Sequence, residues 1–179
     1  MKKFAIAAAL GALTVSMPAF AAGDVTGNVT VNGTVASKCQ FTTNSATITI
    51  PELAGTDGKL LASTVNGQTA TLVGWCNKSA STIAVNATSL SNTSVATAAA
   101  GFARVVDFAA TAKAYNGTTL VGTASDANSA DATAGAAGNV TMFRGDITVE
   151  LSAAATAADT LLTAGSYQGN VAVTLTPAT

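Results

Sequence analysis

The stretch FRGDITVEL, residues 143–151, decides the fold class of this chain. Its apolar residues alternate with polar ones, so that Phe143, Ile147 and Leu151 share one face of an extended chain. A period of two is the pattern of a β-strand with one buried face, whereas an amphipathic helix repeats every 3.6 residues. The segment therefore predicts a strand that covers a hydrophobic core.

Similar short runs occur on both sides of this strand. A final strand is predicted to open at 165–167 and to stop at Pro177, with Val171, Val173 and Leu175 on one face. Further strands are predicted at residues 46–50, 68–75, 82–86, 104–115 and 118–121. Many short strands separated by turn residues are typical of an all-β sandwich.

Two segments depart from this alternation. Residues 96–112 are rich in alanine, the strongest helix former, so a helix is an alternative to the strand there. Residues 125–138 are rich in Ala, Asp, Asn and Gly without periodicity, which predicts an exposed loop. We interpret Asp126 and Asp131 in that loop as solvated acids.

The composition disfavours several classes of function. The formal net charge is only -1 and 9% of residues are charged, so we expect no nucleic-acid partner. Histidine is absent, which removes Ser-His-Asp and Cys-His arrangements, and no phosphate-binding or calcium-binding loop pattern is present. We therefore expect no enzyme activity, no cofactor and no metal site.

The N-terminus carries the features of a secretory signal peptide. A basic start at Lys2 and Lys3 is followed by an apolar run from Phe4 to Val15 and by Ala19-Phe20-Ala21, which predicts a signal peptide at residues 1–21. A retained membrane anchor is the alternative, although the run is short for a bilayer span. No later segment is long enough to span, so the mature chain is predicted to be exported without a membrane span.

The chain has two cysteines, Cys39 and Cys76. In an exported chain an even number of cysteines favours a disulfide, and a bridge across a loop of this length would contribute about 4 kcal/mol on the chain-entropy model. Free thiols or half of a metal site are the alternatives. Zinc is disfavoured because no histidine or second cysteine pair is present to complete a tetrahedral site.

The stretch VTGNVTVNGTV, residues 25–35, runs almost directly into the first cysteine. Its apolar residues and glycines all have the same parity, so a strand would present them on one face: Val25, Gly27, Val29, Val31, Gly33 and Val35. Such a strand needs an apolar groove to cover it. An ordinary first strand that pairs within its own domain is the alternative.

Together these features resemble the major pilins of bacterial chaperone-usher fimbriae. The resemblance covers the mature chain and rests on the Val/Gly arm, the two cysteines and the terminal Gly-x-Tyr-x-Gly-x-Val-x-Val-x-Leu strand. The ending at 175–179 lacks the next-to-last aromatic residue that is usual in pilins of the type 1 branch. It is equally similar to the archaic, spore-coat-U-like branch.

The resemblance implies an incomplete immunoglobulin-like sandwich at residues 39–179 and a donor-strand arm at 22–38. In that family the sandwich lacks its last strand, and the arm of the next subunit fills the groove, with a periplasmic chaperone and an outer-membrane usher acting in assembly. It implies a head-to-tail homopolymer at the cell surface that supports adhesion or biofilm formation. Tyr167, Val171, Val173 and Leu175 would then lie beside the groove. A secreted sandwich that binds carbohydrate or a host surface as a monomer is the alternative function.

Overall fold

The computed structural model describes residues 23–179, so the predicted signal peptide lies outside the described residues. The described chain is almost entirely β-structure, apart from one 3-10 turn at Ala62–Thr64. The strands are β1 (Cys39–Thr43), β2 (Thr69–Cys76), β3 (Ser81–Asn92), β4 (Phe102–Ala103), β5 (Val105–Asn116), β6 (Thr119–Asp126), β7 (Gly138–Val140), β8 (Phe143–Ala155), β9 (Leu161–Leu162) and β10 (Tyr167–Thr176).

The strands form a sandwich in which β5 belongs to both layers. One layer runs β1-β2-β8-β5 with β6 beyond β5, and the other contains β10, β3 and β7. β5 pairs with β3 only at Val105 and Val106, and from Asp107 onward it pairs with β8. Except for the short parallel pair β4 and β9, all ladders are antiparallel. The prediction of an all-β sandwich is confirmed.

The core lies between the two layers and is built by alternate residues. β5 shows the period most clearly, since Ala110, Ala112 and Ala114 are fully buried while their neighbours are half-buried. On the facing strands, Ile83 and Ile147 are also fully buried. Alanine brings the two layers close together at β5, because its side chain fills little volume.

The structure resolves the alternative at residues 96–112 in favour of a strand. β5 begins at Val105, one residue after the predicted start, and continues to Asn116. The Asn116-Gly117 turn then leads into β6, with Gly117 at a φ of 62°. Because Asn116 pairs with Thr119, Gly117 is the first residue of a two-residue hairpin loop, and a positive φ at that position favours glycine.

Two predictions were wrong. Residues 46–50 form no β-ladder, although Ile48 and Ile50 keep the alternating half-buried pattern. The segment 125–138 is not simply an exposed loop: β6 extends to Asp126, and Asp126 and Ser129 are each only 3% exposed. The reason is that backbone groups of β3 and β5 bind to this segment.

The chain divides into a compact unit at residues 35–179 and a second unit to which the described residues 23–34 belong. Within the second unit, residues 23–34 form neither a strand nor a helix. Within the part of the chain that the structure describes, no helix is long and apolar enough to cross a bilayer.

Candidate functional site

The two cysteines form a disulfide between the first two strands. Cys39 and Cys76 lie directly opposite each other in the β1–β2 ladder, with their sulfur atoms 2.04 Å apart. Next to the bridge, the Asn77 side chain accepts a hydrogen bond from the Lys38 N–H at 2.7 Å and donates one to the Ala36 carbonyl at 2.9 Å. Residues 36–38 are therefore fixed to the sandwich although they belong to no strand.

The last strand, β10, is an edge with one partner only. It pairs along almost its whole length with β3, for example at Val173↔Val85 and Val171↔Ala87. At β3, the backbone groups of Val85 and Ala87 bind to the 126–138 segment, on the side away from β10. In an antiparallel ladder, two opposite residues that do not exchange hydrogen bonds both turn their N–H and C=O groups away from the partner strand. The N–H and C=O groups of Val171 and Val173 therefore face away from β3.

Across from this edge runs the segment of residues 44–50. Within residues 23–179, the backbone N–H and C=O groups of this segment form no hydrogen bond. Ile48 and Ile50 turn toward the core and pack against it while remaining half-buried. The segment thus has the side-chain pattern of a strand without a ladder partner.

Between this segment and β10 lies an open cleft of about 580 Å³. Its floor contains core residues such as Phe108 and Leu151, and its walls include Ile48, Val171 and Val173. None of its lining residues is charged. The cleft therefore combines an apolar floor with a row of unpaired backbone groups along each wall.

A second cleft of about 560 Å³ lies next to the first and shares Ile48, Ile50 and Leu90 with it. Tyr167 lines this second cleft, and its hydroxyl donates a hydrogen bond to the Thr163 carbonyl at 2.9 Å. The two clefts together follow β10 from its first residue to Val173. They mark a groove along the free edge of β10.

The structure gathers part of the predicted site at this groove. Tyr167, Val171 and Val173 line it, and Leu175 is a half-buried residue packed against the core on the same face of β10. The opposite wall was not predicted from the sequence, because residues 46–50 were predicted to form one of the strands of the sandwich. Their alternation was a usable signal for the face, but it does not indicate whether a partner strand is present.

The valines of the predicted arm are exposed to solvent. The four valines are 88% to 98% exposed, and no neighbouring atom lies within 4 Å of a Cβ built at Gly27 or Gly33. The alternative of an internally paired first strand is not what the structure shows, since residues 23–38 belong to no ladder. Their role as a donor strand remains a prediction.

The ion pair of Lys113 and Glu150 lies outside the residues that line the groove. The Lys113 ammonium lies 2.7 Å from the Glu150 carboxylate, and this hydrogen bond and charge raise the pKa of Lys113. Within residues 23–179, no group of three or more acidic or cysteine side chains is placed to hold a metal ion. The groove offers shape, apolar surface and backbone hydrogen-bonding groups.

Comparison of the chain with protein-family models, with curated proteins and with solved structures finds no match.

Proposed function

We propose that this protein is the structural subunit of a surface fibre that polymerises by strand donation, as in the major pilins of the chaperone-usher pathway. The observation that carries the proposal is the groove, in which an apolar floor lies between two walls of unpaired backbone groups. An extended segment added there would bury apolar side chains and satisfy both walls at once.

The arm of a second copy has the chemistry and length to fill this groove. Eleven residues from Val25 to Val35 span about 36 Å as a strand, and the ten residues of β10 span about 33 Å. Burial of four valines would contribute about 6 to 12 kcal/mol before the cost of association. The arm is uncharged from Val25 to Val35, which suits the first cleft, whose lining residues carry no charge.

The proposal assigns export, a periplasmic chaperone, an outer-membrane usher and a surface location to this chain. Edge strands that lie beside open apolar surface promote aggregation, so an exported chain of this kind requires protection before assembly. The disulfide supports an oxidising compartment, because such bonds persist in periplasmic and extracellular proteins.

The test is electrophoresis of protein taken from the cell surface. Unboiled samples in SDS are expected to show a ladder of multimers that collapses on boiling. Deletion of residues 23–35 should abolish the ladder, because the chain can then accept a strand but not donate one. A single monomer band from the unaltered chain would reject the proposal and favour a monomeric binding module.

A groove variant makes this test directional. Val173→Asp places a carboxylate in the apolar cleft, where an unpaired charge is costly, so this chain should donate but not accept. Thr174→Asp is the matched control, since Thr174 is the next residue and is exposed. Mixing Val173→Asp with the arm-deleted chain should give heterodimers and no longer ladder. Ladders from Val173→Asp alone would contradict the assignment of the groove.

A further inference from the structure

β3 has a second edge, opposite to β10, that its neighbouring strands leave uncovered. On that side β3 pairs with β7 from Ser81 to Ile83 and with β5 only at Leu90 and Ser91. Six residues, 84–89, lie between these two short ladders. Since half of their backbone groups point away from β10, they would form an open strand edge if nothing covered them.

The segment 126–138 occupies this position and binds backbone groups of Val85, Ala87 and Ser89. The Asp126 carboxylate accepts the Ala87 N–H at 2.8 Å, and the Ser129 carbonyl accepts the Ser89 N–H at 3.1 Å. The Gly135 N–H donates to the Val85 carbonyl at 2.9 Å. The segment thus replaces a partner strand, one hydrogen bond at a time.

Ser129 also ties the segment to the strand that diverges from β3. Its hydroxyl accepts the Phe108 N–H at 2.9 Å, and its own N–H donates to the Phe108 carbonyl at 3.0 Å. The Ser129 hydroxyl also donates to the Ser89 hydroxyl at 3.3 Å, and the Ser89 hydroxyl donates to the Asp107 carboxylate of β5 at 2.6 Å. Ser129 therefore fills the wedge where β3 and β5 part, which explains why a serine in an Ala/Asp/Asn-rich stretch is buried.

The fit leaves no room for a larger residue at the far end of the segment. A Cβ built at Gly135 would lie 1.9 Å from the Ser125 carbonyl oxygen, and one at Gly138 would lie 1.7 Å from that of Thr123. Both glycines allow the backbone to approach β6 closely on its way back to β3. The segment is thus held from both sides.

We propose that residues 126–138 form an edge clasp that seals the second edge of β3, so that the layer of β10 and β3 accepts an added strand at β10 and not at β3. Asp126 and Ser129 are its positioning residues. The inference rests on the proposed strand donation and deepens it, because a subunit with one donor arm and one receptive edge can build only an unbranched chain. A second open edge would allow one subunit to receive two arms.

Amide hydrogen exchange tests both edges within the unaltered chain. We compare single amides in the assembled fibre and in subunits that have been dissociated and refolded. Ala87 and Ser89 are expected to be protected in both states, whereas Val171 and Val173 should gain protection only in the fibre. If Ala87 and Ser89 also gain protection only on assembly, a strand is added at the second edge and the clasp is rejected. If Val171 and Val173 gain none, strand donation at β10 fails while the clasp still stands.

A substitution then tests the role of Asp126. Asp126→Ala should accelerate exchange at Ala87 by about tenfold to a hundredfold and produce branched or laterally fused fibres in electron micrographs. Asp131→Ala is the matched control, because Asp131 lies in the same segment, is exposed and bonds only to Thr133.

Asp126→Asn keeps an acceptor oxygen and should restore linear fibres. If Asp126→Ala does not fold, the comparison of amide exchange in the unaltered chain remains the test of the clasp. Linear fibres from Asp126→Ala, with exchange at Ala87 unchanged, would overturn the role of Asp126.

Discussion

Two aspartates only five positions apart have opposite environments. Asp126 is buried and its carboxylate accepts the N–H groups of Ala87 and Asn128, while Asp131 is exposed and binds only Thr133. Both were interpreted from the sequence as solvated acids, which is correct for Asp131 alone. Local composition could not separate them, because the partner of Asp126 lies 39 residues earlier in the chain.

The pKa of Asp131 provides a prediction at this scale. The Thr133 hydroxyl and N–H, at 2.7 and 3.0 Å, stabilise the carboxylate and lower its pKa below the ordinary value. Stability from this contact is therefore present above the unfolded pKa and is lost as pH falls through the folded pKa. Thr133→Ala should raise the pKa toward its ordinary value in an NMR titration, and an unchanged pKa would contradict this cause.

The junction between the predicted arm and β1, residues 36–38, is held by the Asn77 side chain. Asn77→Ala removes the hydrogen bonds to Lys38 and Ala36, which should lower the free energy of unfolding by about 1 to 3 kcal/mol. Exchange of the Lys38 amide should become faster. Ser79→Ala, at an exposed position two residues later, serves as the control in both measurements. Equal exchange rates at Lys38 in the two variants would show that Asn77 does not hold residues 36–38 in place.

At the scale of elements, periodicity predicted which side chains face the core better than it predicted pairing. Alternation correctly identified the buried faces of β8 and β10. The same alternation at residues 46–50 was read as a paired strand, whereas the structure leaves that segment without a ladder. A period of two indicates that one face of an extended segment is buried. It does not indicate whether neighbouring strands bind to its backbone N–H and C=O groups.

In β5, tertiary contacts override the helix preference of the residues. Its four alanines favour a helix as isolated residues, yet burial between β3, β6 and β8 makes the segment a strand. Val106 and Phe108 supplied the signal, because they continue the same parity as the buried alanines.

For the whole molecule, the sequence predicted the fold class and the disulfide, and the family resemblance implied a groove beside the last strand, but the wall opposite that strand was not predicted. The groove exists because the strand order leaves β10 at an edge opposite the unpaired residues 44–50. Strand order depends on contacts between distant residues, and a single sequence does not reveal them. The edge clasp was missed for the same reason.

The disulfide provides a prediction at the scale of the whole molecule. Replacing both cysteines by serine removes a link between residues 37 positions apart and should destabilise the domain by about 4 kcal/mol. The double variant avoids a free thiol. Secreted yield and the urea midpoint should both fall. An unchanged midpoint would show that the bridge does not stabilise the native domain.

The position of the bridge also has a mechanical consequence. In the proposed fibre, a pull on the arm would enter the domain at residues 36–38 and would reach β1 at Cys39. Because Cys39 is bonded to Cys76, the load passes covalently to β2, which pairs with β8 inside the sheet. The short edge strand β1 therefore cannot be pulled away from β2 at Cys39 unless a covalent bond breaks.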